Sequence, residues 1–343
     1  QLVDNEERQE HWVSPVRALH AADTEGVAQA VAAADLMATS AGVRALPSVA
    51  RTVAAGLARR LGRGGAPPLN VIICENLKDA ADHFRELVRA ELPADLRDAL
   101  AGRAGFVDAV IGRMVPLLTP EQRAADPALI VAEPYKVLPV DRSGFVGGVP
   151  AIVGLEACDH FPAYVARKLY IHNGGHAVLA YLGYLRGHTY GYEALDDAVV
   201  LRLLLAAWEE ARAGVARAFG VSPAWLEEHA EDLRRRFANR ALGDTIVRLA
   251  RDPVRKLGPE DRLVGAARLA ERAGVEPTAL AWAIAAGYRF DSAEDPIAAQ
   301  LQERIASLGL TAALAAVSQI RAEEPLGRMV LHCHARLGAG EWP

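Results

Sequence analysis

Apolar residues along the first 150 positions alternate between two patterns. Short near-continuous runs, Ala34-Asp-Leu-Met-Ala-Thr-Ser-Ala-Gly42 and Leu69-Asn-Val-Ile-Ile-Cys74, have the length and content of strands buried in a parallel sheet. Between them, Ala45 to Leu61 repeats apolar residues at helical spacing, and Gly62-Arg-Gly-Gly-Ala-Pro-Pro68 ends that helix. Glu75-Asn-Leu-Lys-Asp opens another helix that runs to about Leu92. Gly105 to Ile111 and Ala128 to Glu133 read as further strands, with His11-Trp-Val and Val16-Arg-Ala-Leu as short ones. Strands alternating with helices build βαβ units, so this part is predicted to be α/β.

The pattern changes after Val140 to Gly154, a stretch rich in Gly and Pro. A domain boundary is expected there, giving residues 1–150 as a sheet domain and residues 151–343 as a helical one. Leu195 to Phe219 carries a long amphipathic stripe with Trp208-Glu-Glu and Arg212 on its polar side, and Ser222-Pro-Ala-Trp has an N-cap serine with proline at the first helical position. Pro259, Pro277, Pro296 and Leu310 open further periodic segments, and no internal repeat or low-complexity tract interrupts them. A length of 343 residues fits two domains, each able to bury a core. The net charge of −5 excludes a bulk attraction to nucleic acid or an anionic membrane surface. The longest apolar run, near Ala177 to Leu185, is too short to span a bilayer. Three widely spaced cysteines, Cys74, Cys158 and Cys333, do not form a disulfide framework and point to a reducing cytoplasm.

Candidate chemistry concentrates in Lys168-Leu-Tyr-Ile-His-Asn-Gly-Gly-His176, inside an otherwise apolar run. On an α-helix Asn173 and His176 stand about 140° and about 80° around from Lys168, so all three share one broad face. A lysine in a buried helix is costly unless paired or neutral, and desolvation makes its neutral amine available as a base near neutral pH. Against this, an isolated lysine commonly snorkels to solvent, and Asn-Gly-Gly can simply break a helix. His172 and His176 have the spacing of a zinc motif, but its glutamate is missing, so no metal is expected there. His332-Cys-His334 stands alone and reads as structural.

Cys74-Glu-Asn76 sits where a parallel strand meets a helix, the edge at which open α/β sheets bind ligands. Asn76 either aims its amide at a ligand or caps the helix. Arg248-Leu-Ala-Arg-Asp-Pro-Val-Arg-Lys256 is strongly basic: it suits an anion, or forms a solvated face paired with nearby acids. No Gly-x-Gly-x-x-Gly turn lies between a strand and a helix.

These stretches, with Gly105-Phe-Val-Asp, Tyr181-Leu-Gly and Asp252-Pro-Val-Arg-Lys-Leu-Gly-Pro-Glu-Asp-Arg-Leu263, run in the order seen in the polyol-specific long-chain dehydrogenase/reductase family, which the chain resembles over most of its length. The resemblance is nearest to the shorter branch that acts on phosphorylated polyols. It implies a Rossmann domain followed by a helical substrate domain, without metal. It implies NAD as cofactor and a small sugar-alcohol phosphate as substrate, with mannitol 1-phosphate and fructose 6-phosphate interconverted. By motif match Lys168 becomes the general base. Asn76 and Asn173 hold the substrate oxygen, and His176 binds a neighbouring hydroxyl. Arg248 and Lys256 match basic positions of the substrate pocket, and the turn Thr39, Ser40, Ala41 and Gly42 faces the cofactor. Longer relatives work on unphosphorylated polyols or sugar acids, and a non-catalytic sugar-phosphate-binding fragment is the other alternative. Two departures stand out. The family's glycine fingerprint and the acidic residue that reads the ribose precede the point matched by Gln1, so further residues and weak NAD binding by the chain as it stands are expected. Gly112 also stands before Arg113 where the family has an aspartate.

Overall fold

The computed structural model describes residues 1–62 and 65–343. The helix break expected over Gly62 to Pro68 falls partly on Arg63 and Gly64, which lie outside the described residues. In chain order the elements begin with a hairpin, β1 (Leu2–Asp4) and β2 (Glu7–Gln9). Then come α1 (Thr24–Ala33), β3 (Leu36–Thr39), α2 (Leu46–Leu61), β4 (Leu69–Ile73), α3 (Ala80–Glu91) and β5 (Ala104–Asp108). After α4 (Pro120–Ala125) follow β6 (Leu138–Asp141) and β7 (Leu155–Cys158). Two compact units interleave along the chain rather than following one cut. Residues 11–113 and 135–164 form a sheet unit, and residues 1–10, 114–134 and 165–343 form a helical unit.

In the sheet unit, β3, β4 and β5 pair in parallel in that order, with Ala38 beside Ile72 and Val71 beside Phe106. Strand β4 is buried at every position because both of its faces are covered. On one face Leu69, Val71 and Ile73 pack with Leu46, Val53 and Phe84 from the helices. On the other, Ile72 meets Val107 and Val140. The one polar residue of this strand, Asn70, has a specific task. Its amide donates to the Val146 carbonyl at 3.1 Å and accepts from the Val146 N–H at 2.9 Å. A side chain at Gly105 would collide with that amide. The Gly- and Pro-rich stretch expected to mark the domain boundary therefore folds onto the sheet, where Phe145 joins the second core.

Several predicted elements differ. Helix α3 starts at Ala80 rather than Glu75, because Asp79 takes a left-handed turn and Glu75 is engaged elsewhere. Ala128 to Glu133 is not a strand: only Ala132 forms a bridge, to Leu2, and the Glu133 carboxylate accepts from the Met114 N–H at 2.6 Å. His11 to Val13 and Val16 to Leu19 are irregular, and no strand among the described residues pairs with them. Trp12 is accordingly 91% exposed.

The helical unit contains α5 (Phe161–Ala166) only in its last residues, then a π-helix (Arg167–Asn173), α6 (Gly174–Leu185), α7 (Gly191–Asp196), α8 (Ala198–Phe219) and α9 (Pro223–Phe237). Next come α10 (Ile246–Ala250), α11 (Pro253–Lys256), α12 (Val264–Arg272) and α13 (Thr278–Gly287). The chain closes with α14 (Pro296–Leu308), α15 (Leu310–Ser318) and α16 (Pro325–Gly338). Helices α6 and α13 are apolar all round and are correspondingly buried. Tyr181 sits at the centre, fully buried, with its hydroxyl donating to the Ala250 carbonyl at 3.1 Å. No helix among the described residues is long and apolar enough to cross a membrane.

Candidate active site

The stretch from Lys168 to His176 is helical throughout, but not α-helical throughout. Residues 167–173 form a π-helix that runs straight into α6, so Asn-Gly-Gly does not break the helix. The wider repeat matters for chemistry. A π-turn bonds residue i to residue i+5, which brings positions 168 and 173 closer to one face than the about 140° that separates them on an α-helix. The Gly174 N–H reaches back to the Leu169 carbonyl in this five-residue pattern. The Asn173 side chain makes no hydrogen bond among the described residues, which leaves its amide available.

Neighbours explain why the wide turn persists. The Trp208 indole N–H donates to the Ile171 carbonyl at 2.8 Å and satisfies a π-turn acceptor. The indole lies so close that a Cβ at Gly175 would be 2.7 Å from its nitrogen. A Cβ at Gly174 would be 3.1 Å from the Arg262 carbonyl. The Tyr170 hydroxyl donates to the Glu260 carbonyl at 3.3 Å, which ties the segment around Arg262 to the same turn.

Charge is handled by burial. Desolvation, reinforced by Arg262 and Arg255 and opposed by Asp261, brings the Lys168 ammonium down to about 8. Desolvation and the same cationic surroundings hold His176 near about 3, so its ring is neutral. His172 is pushed well below its ordinary value, first by burial and then by His176 and Lys168. The His176 ring stacks on Phe237, with centroids 4.0 Å apart, and stands edge-on to His172 at 5.1 Å. Its open side lines a small pocket with Phe237, Leu242 and Asp244. Two buried ring nitrogens nearby, His172 Nδ1 and His229 Nε2, have no hydrogen-bond partner among the described residues. The sequence does not single out His229, Phe237 or Arg262, and Trp208, expected on the polar side of its helix, is buried in the core at 3% exposure, where its indole packs on the π-turn. Only the trio Lys168, Asn173 and His176 carried a recognisable spacing.

The second basic stretch divides. Arg248 pairs with Asp244 and lines a cavity of about 650 Å³. Lys256 does not line that cavity. Its ammonium is buried and donates to the carbonyls of Leu249, at 2.6 Å, and of Arg251, holding the C-terminal end of α10. Desolvation, with Arg262 and Arg255, brings Lys256 down to about 7.

In the sheet unit, the turn after β3 lies at the carboxyl edge of the parallel strands. The N–H groups of Ala41 and Gly42 donate to the two oxygens of Glu75 at 2.9 and 3.0 Å. These two amides are therefore committed to Glu75, a residue whose role the sequence did not reveal. Ser40 is exposed, and the buried Thr39 hydroxyl has no hydrogen-bond partner among the described residues. Gly42 adopts φ +88, and a Cβ there would meet nothing within 4 Å, so open space lies beyond the turn. An unsatisfied hydroxyl beside open space at this edge fits a bound dinucleotide. Asn76 is exposed just past β4, and Gly112 packs against the Tyr135 ring, where a Cβ would lie at 3.3 Å.

Comparison with known proteins matches both parts of the chain. The mannitol dehydrogenase Rossmann domain matches residues 1–154, and the mannitol dehydrogenase C-terminal domain matches residues 160–329. Mannitol-1-phosphate 5-dehydrogenase of Brevibacillus brevis is 38% identical over 97% of this chain and 84% of its own length. The Bacillus subtilis protein of the same name is 34% identical over 95% of this chain and 85% of its own. Among solved structures, Pseudomonas fluorescens mannitol 2-dehydrogenase, in a ternary complex with NAD and D-mannitol, superposes with a TM-score of 0.71. That match has 20% identity and covers 94% of this chain and 76% of the other. A D-sorbitol dehydrogenase in substrate-free form gives a TM-score of 0.73 at 18% identity, covering 93% of this chain and 76% of the other. These two structures show the shared fold. With both domains matched in order and relatives at these identities along nearly the whole chain, the protein belongs to the mannitol dehydrogenase family.

Proposed function

We propose that the protein is an NAD-dependent oxidoreductase that interconverts mannitol 1-phosphate and fructose 6-phosphate, as the names of its relatives indicate. The observation that carries the mechanism is the π-turn that spans Lys168 and Asn173, with the lysine brought down to about 8. Neutral Lys168 takes the proton of the substrate hydroxyl as the carbon–oxygen double bond forms. NAD, when bound, accepts the hydride from that carbon. Asn173 donates its amide N–H to the developing alkoxide and adds no titrating group that would compete for the proton; Asn76, at the strand end of the sheet unit, is a second candidate amide. His176, held neutral by burial, offers a ring nitrogen to a neighbouring hydroxyl. Arg248 supplies a permanent positive charge, and Lys256 has one N–H beyond its two carbonyl bonds for substrate. At the sheet edge, Thr39 and Ser40 are the donors of the turn toward the cofactor. Ala41 and Gly42 contribute shape, since their amides are held by Glu75.

In the reductive direction the same groups run in reverse, with protonated Lys168 returning the proton. We place the reaction in the cytoplasm, in keeping with three cysteines that form no disulfide. The test is NAD reduction with mannitol 1-phosphate beside mannitol. Turnover with a clear preference for the phosphate ester supports the reading. Equal turnover of both, or turnover of mannitol alone, overturns it.

A further inference from the structure

Resting on that reading, we propose that the cavity beside α10 is the subsite for the substrate's phosphate, with Arg251 and Arg8 as the residues that select phosphorylated over plain polyols. The cavity of about 650 Å³ lies wholly within the helical unit and is lined by Arg8, Arg248, Arg251, Thr245, Leu242 and Glu294 among others. That volume falls in the roughly 300–1,000 Å³ range of small-molecule sites. The lining includes three arginines and one acidic residue, Glu294. Arg248 already has a partner in Asp244. The side chains of Arg8 and Arg251 make no hydrogen bond or ion pair among the described residues.

Uncompensated guanidiniums around one hollow repel each other. Arg251 is close enough to Arg248 to lower its proton affinity, after the larger effect of burial. A dianion relieves that repulsion, and a phosphate monoester matches the fork of an arginine through two parallel bonds. The cavity also adjoins the pocket beside the reacting helix. Leu242 lines both this cavity and the pocket against His176. A phosphate gripped at Arg251 and Arg8 thereby holds a chain of hydroxylated carbons leading toward the π-turn.

The experiment compares the wild-type protein with Arg251→Gln and Arg8→Gln, both at exposed positions, using mannitol 1-phosphate, mannitol and inorganic phosphate. Each variant is expected to raise KM for mannitol 1-phosphate roughly ten- to hundredfold with kcat little changed, the size of a lost charge-assisted bond. Turnover of mannitol should stay as it was, and competitive inhibition by inorganic phosphate should weaken in parallel. Unchanged KM, or an equal loss for mannitol and its phosphate, overturns the subsite. Calorimetric titration with inorganic phosphate separates this subsite from the proposed reaction. If wild-type protein turns over no polyol phosphate yet binds phosphate, and Arg251→Gln abolishes that binding, the anion site stands without the reaction. Absence of phosphate binding in wild-type protein removes the site.

Discussion

Two basic stretches of the helical unit treat charge in opposite ways. Lys168 to His176 places titratable groups where water is scarce, and burial drives them toward neutrality. Arg248 to Lys256 places arginines, which stay charged, around an open cavity, while its single lysine is turned inward onto carbonyls. The difference follows from the side chains. A lysine gives up its proton when desolvated, whereas a guanidinium keeps its charge at any working pH. One stretch is thus built to move a proton, the other to hold an anion. What separates them is solvent access and side-chain type.

The largest effect expected from breaking this division is at Lys168. Lys168→Ala should cost about 10²–10⁴ in kcat, the usual worth of a positioned base. The circular dichroism spectrum should be unchanged. A variant that keeps more than about a tenth of kcat would show that the proton leaves by another route.

Next is the turn itself. Gly175→Ala puts a methyl where the Trp208 indole packs, so the indole must move off the Ile171 carbonyl. Overpacking of this kind costs about 1–3 kcal/mol, read as a lower midpoint in denaturant. The sharper readout is kinetic: kcat should fall more than KM changes, because the displaced indole loosens the π-turn that spans Lys168 and Asn173. A variant with normal kcat would mean that the π-turn is held by other contacts.

The pH profile sharpens the same contrast. With Lys168 near about 8 in the free protein, kcat/KM for polyol oxidation should rise about tenfold per pH unit below that value and level off above it. Asp261 opposes the depression, so Asp261→Asn should move the limb to lower pH. Substitution at Arg251 should leave the limb where it is, because a guanidinium has no proton to lose in this range and Arg251 is not among the charges that shift Lys168. A limb that moves with Arg251 would merge the two stretches into one electrostatic unit.

Much of the sheet unit was legible because its physics is local. The apolar runs at Leu36 to Thr39 and Leu69 to Ile73 both form strands, the second buried throughout and the first fully buried only at Thr39. The strands expected at His11 and Ala128 failed for a non-local reason. Pairing needs a neighbour, and the Glu133 carboxylate is instead drawn to Arg236, in a buried pair of 2.5 Å, and to the Met114 amide. The π-turn was hidden because apolar spacing is judged against a repeat of 3.6 residues. Its one trace in the sequence was a lysine and an asparagine five apart beside two glycines. Arg251 was passed over in favour of Arg248 and Lys256, because sequence does not show which cation finds a partner. In the sequence Glu75 reads as the first residue of a helix, and its grip on Ala41 and Gly42 depends on how two neighbouring turns meet.

The smallest expected effect separates function from burial alone. Glu210 is buried far along the chain from both basic stretches and caps α13, accepting from the N–H groups of Ala279 at 2.7 Å and Leu280 at 2.9 Å. Burial outweighs those two bonds and pushes its carboxyl up to about 7. The folded state therefore keeps a proton that the unfolded chain releases near 4.5, so stability should fall as pH rises from 4.5 to about 7. The slope is at most about 1.4 kcal/mol per pH unit. Glu210→Gln has no proton to lose, and its unfolding free energy should be flatter over this window while kcat stays unchanged. Denaturant melts at several pH values check this. If Glu210→Gln instead lowers kcat as Lys168→Ala does, the carboxylate belongs to the machinery. If the slope disappears without loss of turnover, a large pKa displacement in this fold reports burial, and only the π-turn that it shares with Asn173 makes Lys168 a base.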